Sequence, residues 1–232
     1  MARGDLIDAG YGTMSGRTNC CSGFKWRYAN TSAEAINTNS DIIEIFPYIT
    51  RTSTQHYPYS NDLRNSYVQI TIGSSTTTQY LKTKYNFGNV TVGTIYHLTS
   101  EYNSSNPFGY GTPDSQTYLT SRTIDGKTAY GARFTVPHNT DGSAPTVSVK
   151  WLMVNSSSHS NIEKTASLTL DSIPRASKPT CANVTLGNAV TIYTNRVSTN
   201  FSHKLVIKIG STTIQTITVA KANENYSWTP AI

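Results

Sequence analysis

The chain has few charged residues, few cysteines and no long apolar run, and each shortage excludes a class of structure. Only 14% of its residues are charged, and the good helix formers Ala, Leu, Glu and Lys are sparse, which argues against long helices. Cys20, Cys21 and Cys181 make an odd count with one adjacent pair, so no disulfide framework is expected. No apolar stretch approaches bilayer-spanning length and the N-terminus lacks an apolar signal core, so we expect neither Sec export nor membrane insertion.

The residues that are abundant favour strands and turns. Ser, Thr, Asn, Gly and Tyr dominate, and 37% of the chain is hydrophobic, a profile that suits half-buried pleated surfaces. Alternating apolar and polar residues separated by turn signals predict a series of short strands. The predicted strands are 23–28, 41–50, 67–72, 78–86, 90–99, 117–123, 128–136, 146–154 and 163–171, then 183–194, 203–209, 212–219 and 225–229.

Strands without intervening helical patterns predict an all-β fold. We expect an antiparallel β-sandwich, with jelly-roll and immunoglobulin-like strand orders both open, followed by a second immunoglobulin-like β module that is incomplete by itself. Two prolines within six residues, Pro174 and Pro179, predict a connection that forms no ladder. The expected organisation is an N-terminal arm at 1–22, a sandwich at 23–173, a linker at 174–180 and a second module at 181–232.

Turn dipeptides place the hairpins. Asp141-Gly142 is a tight-turn pair because glycine accepts positive φ without steric cost. We therefore predict that it forms the tip of a hairpin between the strands at 128–136 and 146–154. Gly73-Ser74 and Asp125-Gly126 are further turn signals of the same kind.

Two motifs carry a resemblance to a known family. They are "VPHN-x-DG" at residues 136–142 and "L-x-x-IPRAS-x-PT" at 170–180, followed by the segments 200–205 and 226–230. Together they resemble siphophage minor structural proteins, found in the tails of phages that infect Gram-positive bacteria. The resemblance covers roughly residues 133–232, and the earlier residues only in composition and strand rhythm.

The resemblance implies a virion protein that is assembled in the host bacterial cytoplasm. Its implied partners are other virion proteins and copies of itself, as a homo-oligomer. Because the second module of that family continues past its Trp-Thr-Pro motif, residues 181–232 are expected to be truncated or completed by a partner. The motifs are structural, so the resemblance implies location more strongly than chemistry.

Catalytic and metal-binding patterns are weak. Glycan hydrolysis needs two facing carboxylates, and with Asp125 and Asp141 in turns and Asp171 closing a strand, only loose candidates remain. No nucleophile elbow or phosphate-cradling loop is visible, and the histidines stand alone, so we expect no enzyme, cofactor or metal. The loose acidic candidates are Glu44, Asp62, Glu101 and Asp114, and the histidines are His56, His97, His138, His159 and His203.

Two aromatic segments are the best candidates for binding. Rings beside amides and carboxylates suit sugars, whose C–H faces stack on the ring while hydroxyls bond to polar groups. The alternative is that these rings pack against their own sandwich or a neighbouring subunit. The candidate carbohydrate-binding residues are Tyr57, Tyr59 and Asp62 in a polar loop at 53–66, and Tyr102, Phe108 and Tyr110 in a second loop.

Three functions remain open at this stage. The net charge of +6 is scattered singly, so nucleic-acid binding is not expected, while anionic wall polymers are suitable partners. The leading hypothesis is a non-enzymatic protein of the tail or tail tip that presents loops to host cell-wall glycan. The alternatives are a head fibre or capsid decoration protein and a tail-associated glycan hydrolase.

Overall fold

The structure, a computed structural model, describes residues 3–55, 58–110, 119–156, 158–175, 178–195, 203–219 and 225–231. In these ranges it contains sixteen strands, one short α-helix, α1 (Ser32–Thr38), and a 3-10 turn (Phe87–Asn89). The chain is therefore all-β, as its composition predicted. The strands are β1 (Ile7–Met14), β2 (Arg17–Tyr28), β3 (Ser40–Arg51), β4 (Tyr59–Ile72), β5 (Ser75–Asn86), β6 (Tyr96–His97), β7 (Phe108–Tyr110), β8 (Leu119–Ile124), β9 (Lys127–Pro137), β10 (Val147–Met153), β11 (Ile162–Leu168), β12 (Thr180–Cys181), β13 (Val190–Tyr193), β14 (His203–Ile209), β15 (Thr212–Val219) and β16 (Tyr226–Trp228).

The described residues divide into two compact units. The first comprises those within 3–35, 40–137 and 145–170, and the second those within 36–39, 138–144 and 171–231. Pro174 and Pro179 lie at the start of the last segment, and the described residues 171–175 and 178–179 belong to no strand.

The first unit is an antiparallel sandwich of two sheets. The first sheet has the order β1-β2-β3-β9-β8 with β6 added to β3, and the second has the order β11-β10-β4-β5-β7. Trp151 on β10 is fully buried between them. Its Nε1 donates to Ser22 Oγ at 2.8 Å, and Ser22 Oγ donates to the Tyr48 carbonyl at 2.8 Å. This chain of hydrogen bonds satisfies the polar atoms that the sandwich buries.

The expected N-terminal arm at 1–22 is wrong, because β1 and the first half of β2 lie in this range and pair with each other in the first sheet. Gly12 in this range and Gly23 just after it are close-approach positions. A Cβ on Gly12 would lie 1.8 Å from the Glu163 carbonyl oxygen on β11, and one on Gly23 would lie 2.1 Å from the Gly10 oxygen. Glycine here lets backbones meet, so it marks packed strands instead of a loop.

Gly12→Ala therefore displaces β1 from β11. We expect the free energy of unfolding to fall by about 1–3 kcal/mol, the range for overpacking of a tight contact. Thr13→Ala, at the exposed neighbouring position, should change it by less than about 0.5 kcal/mol. Urea denaturation of both variants checks this. Equal stability of the two variants would show that β1 does not pack at this distance.

The predicted hairpin at Asp141-Gly142 is also wrong, although the turn itself forms. Gly142 has φ +81°, and its N–H donates to the Asn139 carbonyl at 2.9 Å. Asp141 Oδ1 accepts from Ser143 N and Ser143 Oγ at 2.8 and 2.6 Å, which lowers the pKa of that carboxyl. However, β9 belongs to the first sheet and β10 to the second. The turn therefore lies in a crossover between sheets and closes no ladder.

Three further elements differ from those predicted. The expected polar loop at 53–66 ends early, because β4 already begins at Tyr59, and the strand expected at 90–99 is reduced to β6 and isolated bridges. Helix α1 was not expected. Its signal is a capping box, since the Glu34 carboxylate accepts from Thr31 N at 2.7 Å and Glu34 N donates to Thr31 Oγ1 at 3.3 Å.

The second unit holds two small antiparallel sheets, β12-β13-β16 and β14-β15. Ile192 and Leu205 are its buried centre. Trp228 is only half-buried and sits on β16, an edge of the first of these sheets. The strand expected at 183–194 is confined to β13. Completion of this module by further strands stays a prediction. The half-buried side chains that pack on the centre are Ile207, Ile217, Tyr226 and Trp228.

Candidate functional site

The second sheet brings the two predicted aromatic segments together. Tyr59 on β4 pairs with Asn86 on β5, while Phe108 on β7 pairs with Tyr85 on the other side of β5. The two segments therefore meet at the C-terminal end of β5. We call this place the β5 end.

Phe108 does not face solvent there, which corrects its expected role in binding. Its side chain is fully buried, and its ring lies edge-on to Trp151 with centroids 6.5 Å apart. Its cross-strand neighbour Tyr85 is buried as well, and burial raises the pKa of that phenol. Pairing with β5 fixes which face of the sheet Phe108 occupies, and that face is the core.

The remaining aromatic candidates are only partly available. Tyr59 is 57% exposed, and Asp62 is exposed on β4, where its carboxylate pairs with Arg64 at 3.2 Å. Tyr102 is half-buried, with the Lys84 ammonium 4.9 Å from its ring centroid. Among the candidates whose side chains are described, Tyr59 is therefore the one exposed ring at the β5 end. Asp62 and Tyr102 each have a charged partner.

Two candidates of this set cannot be placed by side chain. Tyr57 lies outside the described residues. Tyr110 is described through its backbone, which pairs with Thr83.

The most buried of the loose acidic candidates has a structural role. Glu44 is 2% exposed, and its Oε2 accepts from Arg27 Nε at 2.8 Å and Arg27 Nη2 at 2.6 Å. Its Oε1 accepts from Thr120 Oγ1 at 2.5 Å and lies 3.5 Å from Arg133 Nη1. Both oxygens are engaged, so this carboxylate joins β2, β3, β8 and β9. Glu101 is exposed, and Asp114 lies outside the described residues.

A pocket that the sequence did not indicate lies where β3 changes its partner strand, at Pro47. β3 pairs with β9 from Ser40 to Ile45, but from Tyr48 onward its partner is β6. The change occurs around Pro47, which has no N–H to continue a ladder. Its carbonyl instead accepts from Leu98 N at 3.2 Å. The short strand β6 is thereby held beside the β8–β9 hairpin.

The space between them is the His97 pocket, with a volume of about 440 Å³. Such a volume suits a small ligand or one unit of a polymer. Its wall combines an aromatic ring, aliphatic groups, hydroxyls, an amide and charges. The polar and aromatic lining residues are Lys25, Thr94, Tyr96, His97, Thr99, Asn106, Asp125 and Lys127.

The β8–β9 hairpin turn forms part of the rim of the His97 pocket. Asp125 and Gly126 both have positive φ, +50° and +76°, the conformation of a tight hairpin turn, and Lys127 follows at once on β9. Lys127 Nζ donates to Asn106 Oδ1 at 3.1 Å and lies 5.9 Å from the Tyr96 ring centroid. With Lys25 on β2, two ammonium groups and one carboxylate therefore line this pocket.

His97 forms the inner wall of the pocket. Its ring lies edge-on to that of Tyr48, with centroids 5.8 Å apart. Neither shielded ring nitrogen makes a well-formed hydrogen bond to a described residue. Burial, and then the nearby Lys25 charge, lower the pKa of His97 to about 4, against the opposing effects of Asp125, the Pro47 carbonyl and Asp8. The imidazole is therefore neutral at physiological pH.

This lowered pKa gives a pH dependence of stability. The unfolded chain binds a proton near the ordinary value of 6.5 and the folded chain only near 4. The stabilisation is complete above pH 6.5. As the pH falls from 6.5 to about 4, the free energy of unfolding decreases by up to about 1.4 kcal/mol per pH unit. The measurement is the difference in unfolding free energy between wild type and His97→Gln, followed over this range. A difference that stays constant with pH would contradict the buried, neutral imidazole.

A second pocket adjoins the first. The Tyr11 pocket has a volume of about 430 Å³ and an exposed phenol, Tyr11, at its rim. Asp8 Oδ1 accepts there from Tyr48 Oη at 3.0 Å and from Gly10 N at 2.8 Å. Burial, and then Asp8, raise the pKa of Tyr48. Arg51 also lines this pocket.

The described residues show neither a metal site nor a membrane-spanning helix. Among them, no group of three or more His, Cys, Asp or Glu side chains is arranged to hold a metal ion. No described helix is long and apolar enough to cross a bilayer.

The geometry defines an all-β sandwich protein with a charged surface pocket. A family model described as a siphovirus protein of unknown function (DUF859) matches residues 75–232, which is more than half of the chain. The chain belongs to this siphovirus family. No curated protein and no solved structure matches it significantly.

Sequence reasoning missed the His97 pocket because its residues come from distant segments. His97 was treated as an isolated histidine, although Tyr96 beside it and Lys127 after the Asp125-Gly126 turn carry suitable chemistry. A search for aromatic residues next to histidine, combined with charged hairpin tips, would have found two of its edges.

Proposed function

We propose that this chain is a non-enzymatic structural protein of the siphovirus tail or tail tip, and that its His97 pocket contacts host cell-wall glycan. It acts with other virion proteins and with copies of itself. Membership of a siphovirus family supports the phage origin. The observation that carries the binding role is the pocket, in which Tyr96, Asn106 and Lys127 surround a volume of about 440 Å³.

The chemistry of the pocket suits a sugar better than an apolar ligand. Sugars present hydroxyls to amides, hydroxyls and charged groups, and they place C–H faces on aromatic or aliphatic surface. Asn106 and the hydroxyls of Thr94 and Thr99 supply the polar groups. Ile95 and Tyr96 supply the apolar surface.

Binding without hydrolysis is supported by the distribution of carboxylates. A glycosidase places two of them across one cleft. The described lining of the His97 pocket includes one carboxylate, Asp125, and that of the Tyr11 pocket includes one, Asp8. Glu44 is held by two arginines and a threonine hydroxyl.

Binding of the purified chain to host cell-wall fragments tests the proposal. Lys25→Gln combined with Lys127→Gln should weaken binding at least about tenfold, since charged hydrogen bonds contribute about 1.5–3 kcal/mol. Tyr59→Ala combined with Lys84→Gln, at the β5 end, should leave binding unchanged.

If the double variant at Tyr59 and Lys84 weakens binding while the one at Lys25 and Lys127 does not, the glycan contact lies at the β5 end, where the sequence predicted it. Wild-type protein that binds no wall fragments would contradict the glycan role. Release of reducing sugar from those fragments would contradict the non-enzymatic role.

A further inference from the structure

The His97 pocket and the Tyr11 pocket share a wall. Gly93 and Ile95 line both of them. Gly93 has φ +79°, and no described atom beyond its two chain neighbours lies within 4 Å of the position that a Cβ would occupy there. At Gly93 the shared wall therefore carries no side chain of its own.

The backbone holds this wall in place. Gly93 N donates to the Arg51 carbonyl at 2.8 Å, and Thr94 N donates to the Thr91 carbonyl at 3.1 Å. Val92 forms a bridge with Arg51 on β3. The turn at 91–94 is therefore pinned to the end of β3, so that the two pockets have a fixed spacing.

Cations outnumber carboxylates along the two pockets. Lys25 and Lys127 line one, and Arg51, which is only 7% exposed, lines the other. The carboxylates are Asp125 and Asp8, and Asp8 Oδ1 already accepts two hydrogen bonds. An anionic ligand is favoured over a neutral one, with an advantage that weakens as salt is added.

We infer that the two pockets are adjoining subsites for one anionic glycan chain. Its repeating units carry phosphate or carboxylate groups, and the chain passes over Gly93 with one unit in each pocket. The inference rests on the proposed glycan contact and adds the charge of the ligand and its minimum length. Occupying both pockets with one molecule adds contact energy without a second association cost.

Titration calorimetry with defined oligomers tests the inference. The probes are glycerol phosphate oligomers of one and four units, galacturonate oligomers of one and four units, and neutral maltotetraose. In one or both anionic series the four-unit oligomer should bind at least about tenfold more tightly than the monomer. Maltotetraose should bind more weakly than that oligomer, and 0.5 M salt should weaken the anionic binding.

Variants assign the two subsites. Lys127→Gln should weaken binding of monomer and four-unit oligomer alike. Tyr11→Ala should weaken the oligomer about fivefold or more but change monomer binding less than twofold. Val92→Trp, at an exposed lining position, blocks the Tyr11 pocket without removing a contact and should act as Tyr11→Ala does.

Equal affinity of monomer and four-unit oligomer in both series would overturn the inference, as would equal binding of maltotetraose. If wall fragments bind through Lys25 and Lys127 while either of these results is found, the proposed function stands and the inference falls. If wall fragments do not bind at all, both fall.

Discussion

Replacing Phe108 by alanine should lower the free energy of unfolding by about 3–5 kcal/mol, the range for truncating a buried phenylalanine. Phe108 is fully buried and packs edge-on against Trp151 in the core between the two sheets. The cavity left behind cannot collapse easily, since β7 is tied to β5 by the pairs at Tyr85 and Thr83. Equilibrium urea denaturation of the purified chain measures the loss.

Tyr59→Ala is the matched control. Tyr59 comes from the other aromatic segment at the β5 end and is 57% exposed, so its truncation should change stability by less than about 0.5 kcal/mol. If Phe108→Ala is as stable as Tyr59→Ala and instead loses wall binding, Phe108 is an exposed binding residue after all.

Replacing Glu44 by alanine should cost about 3–5 kcal/mol of stability. The change leaves the guanidinium of Arg27, which is 20% exposed, without the carboxylate that binds it through two nitrogens. Removing one partner of a buried ion pair is much more costly than the net contribution of the pair. Thermal and urea unfolding at neutral pH give the difference.

An exposed ion pair supplies the comparison for Glu44. Lys150 Nζ lies 2.5 Å from Glu163 Oε2, with side chains 31% and 48% exposed, so Glu163→Ala should cost no more than about 1 kcal/mol. A Glu44→Ala variant that is no less stable than Glu163→Ala would show that Glu44 is not held as the structure has it.

Local chemistry allowed much of the second half of the chain to be predicted. The expected strands at 203–209 and 212–219 are β14 and β15. The Asp125-Gly126 signal closes the β8–β9 hairpin, with both residues at positive φ. These elements depend on neighbouring residues alone, which a sequence displays directly.

Pairing between distant segments could not be predicted in the same way. Alternation with a period of two marks a strand but does not say which sheet it joins. The β9–β10 connection therefore resembled a hairpin although it crosses between sheets. Gly12 of β1 resembled a loop residue because the β11 backbone that it contacts lies about 150 residues away in the sequence.

The candidate site was hidden for the same physical reason. The two aromatic segments of the sequence indicated a binding site at the β5 end. Exposure, however, depends on which face of a sheet a residue occupies, and Phe108 occupies the core face. The His97 pocket is assembled from β2, β6 and the β8–β9 turn. Its position depends on Pro47, where β3 changes partner.

Locating this chain in a reconstruction of the virion tests the central claim most directly. The account predicts density for the chain on the tail or its tip, with the His97 pocket and the exposed Tyr11 facing away from the particle. Density on the head would favour a head fibre or decoration protein. A His97 pocket filled by a neighbouring subunit would contradict a glycan contact at this site.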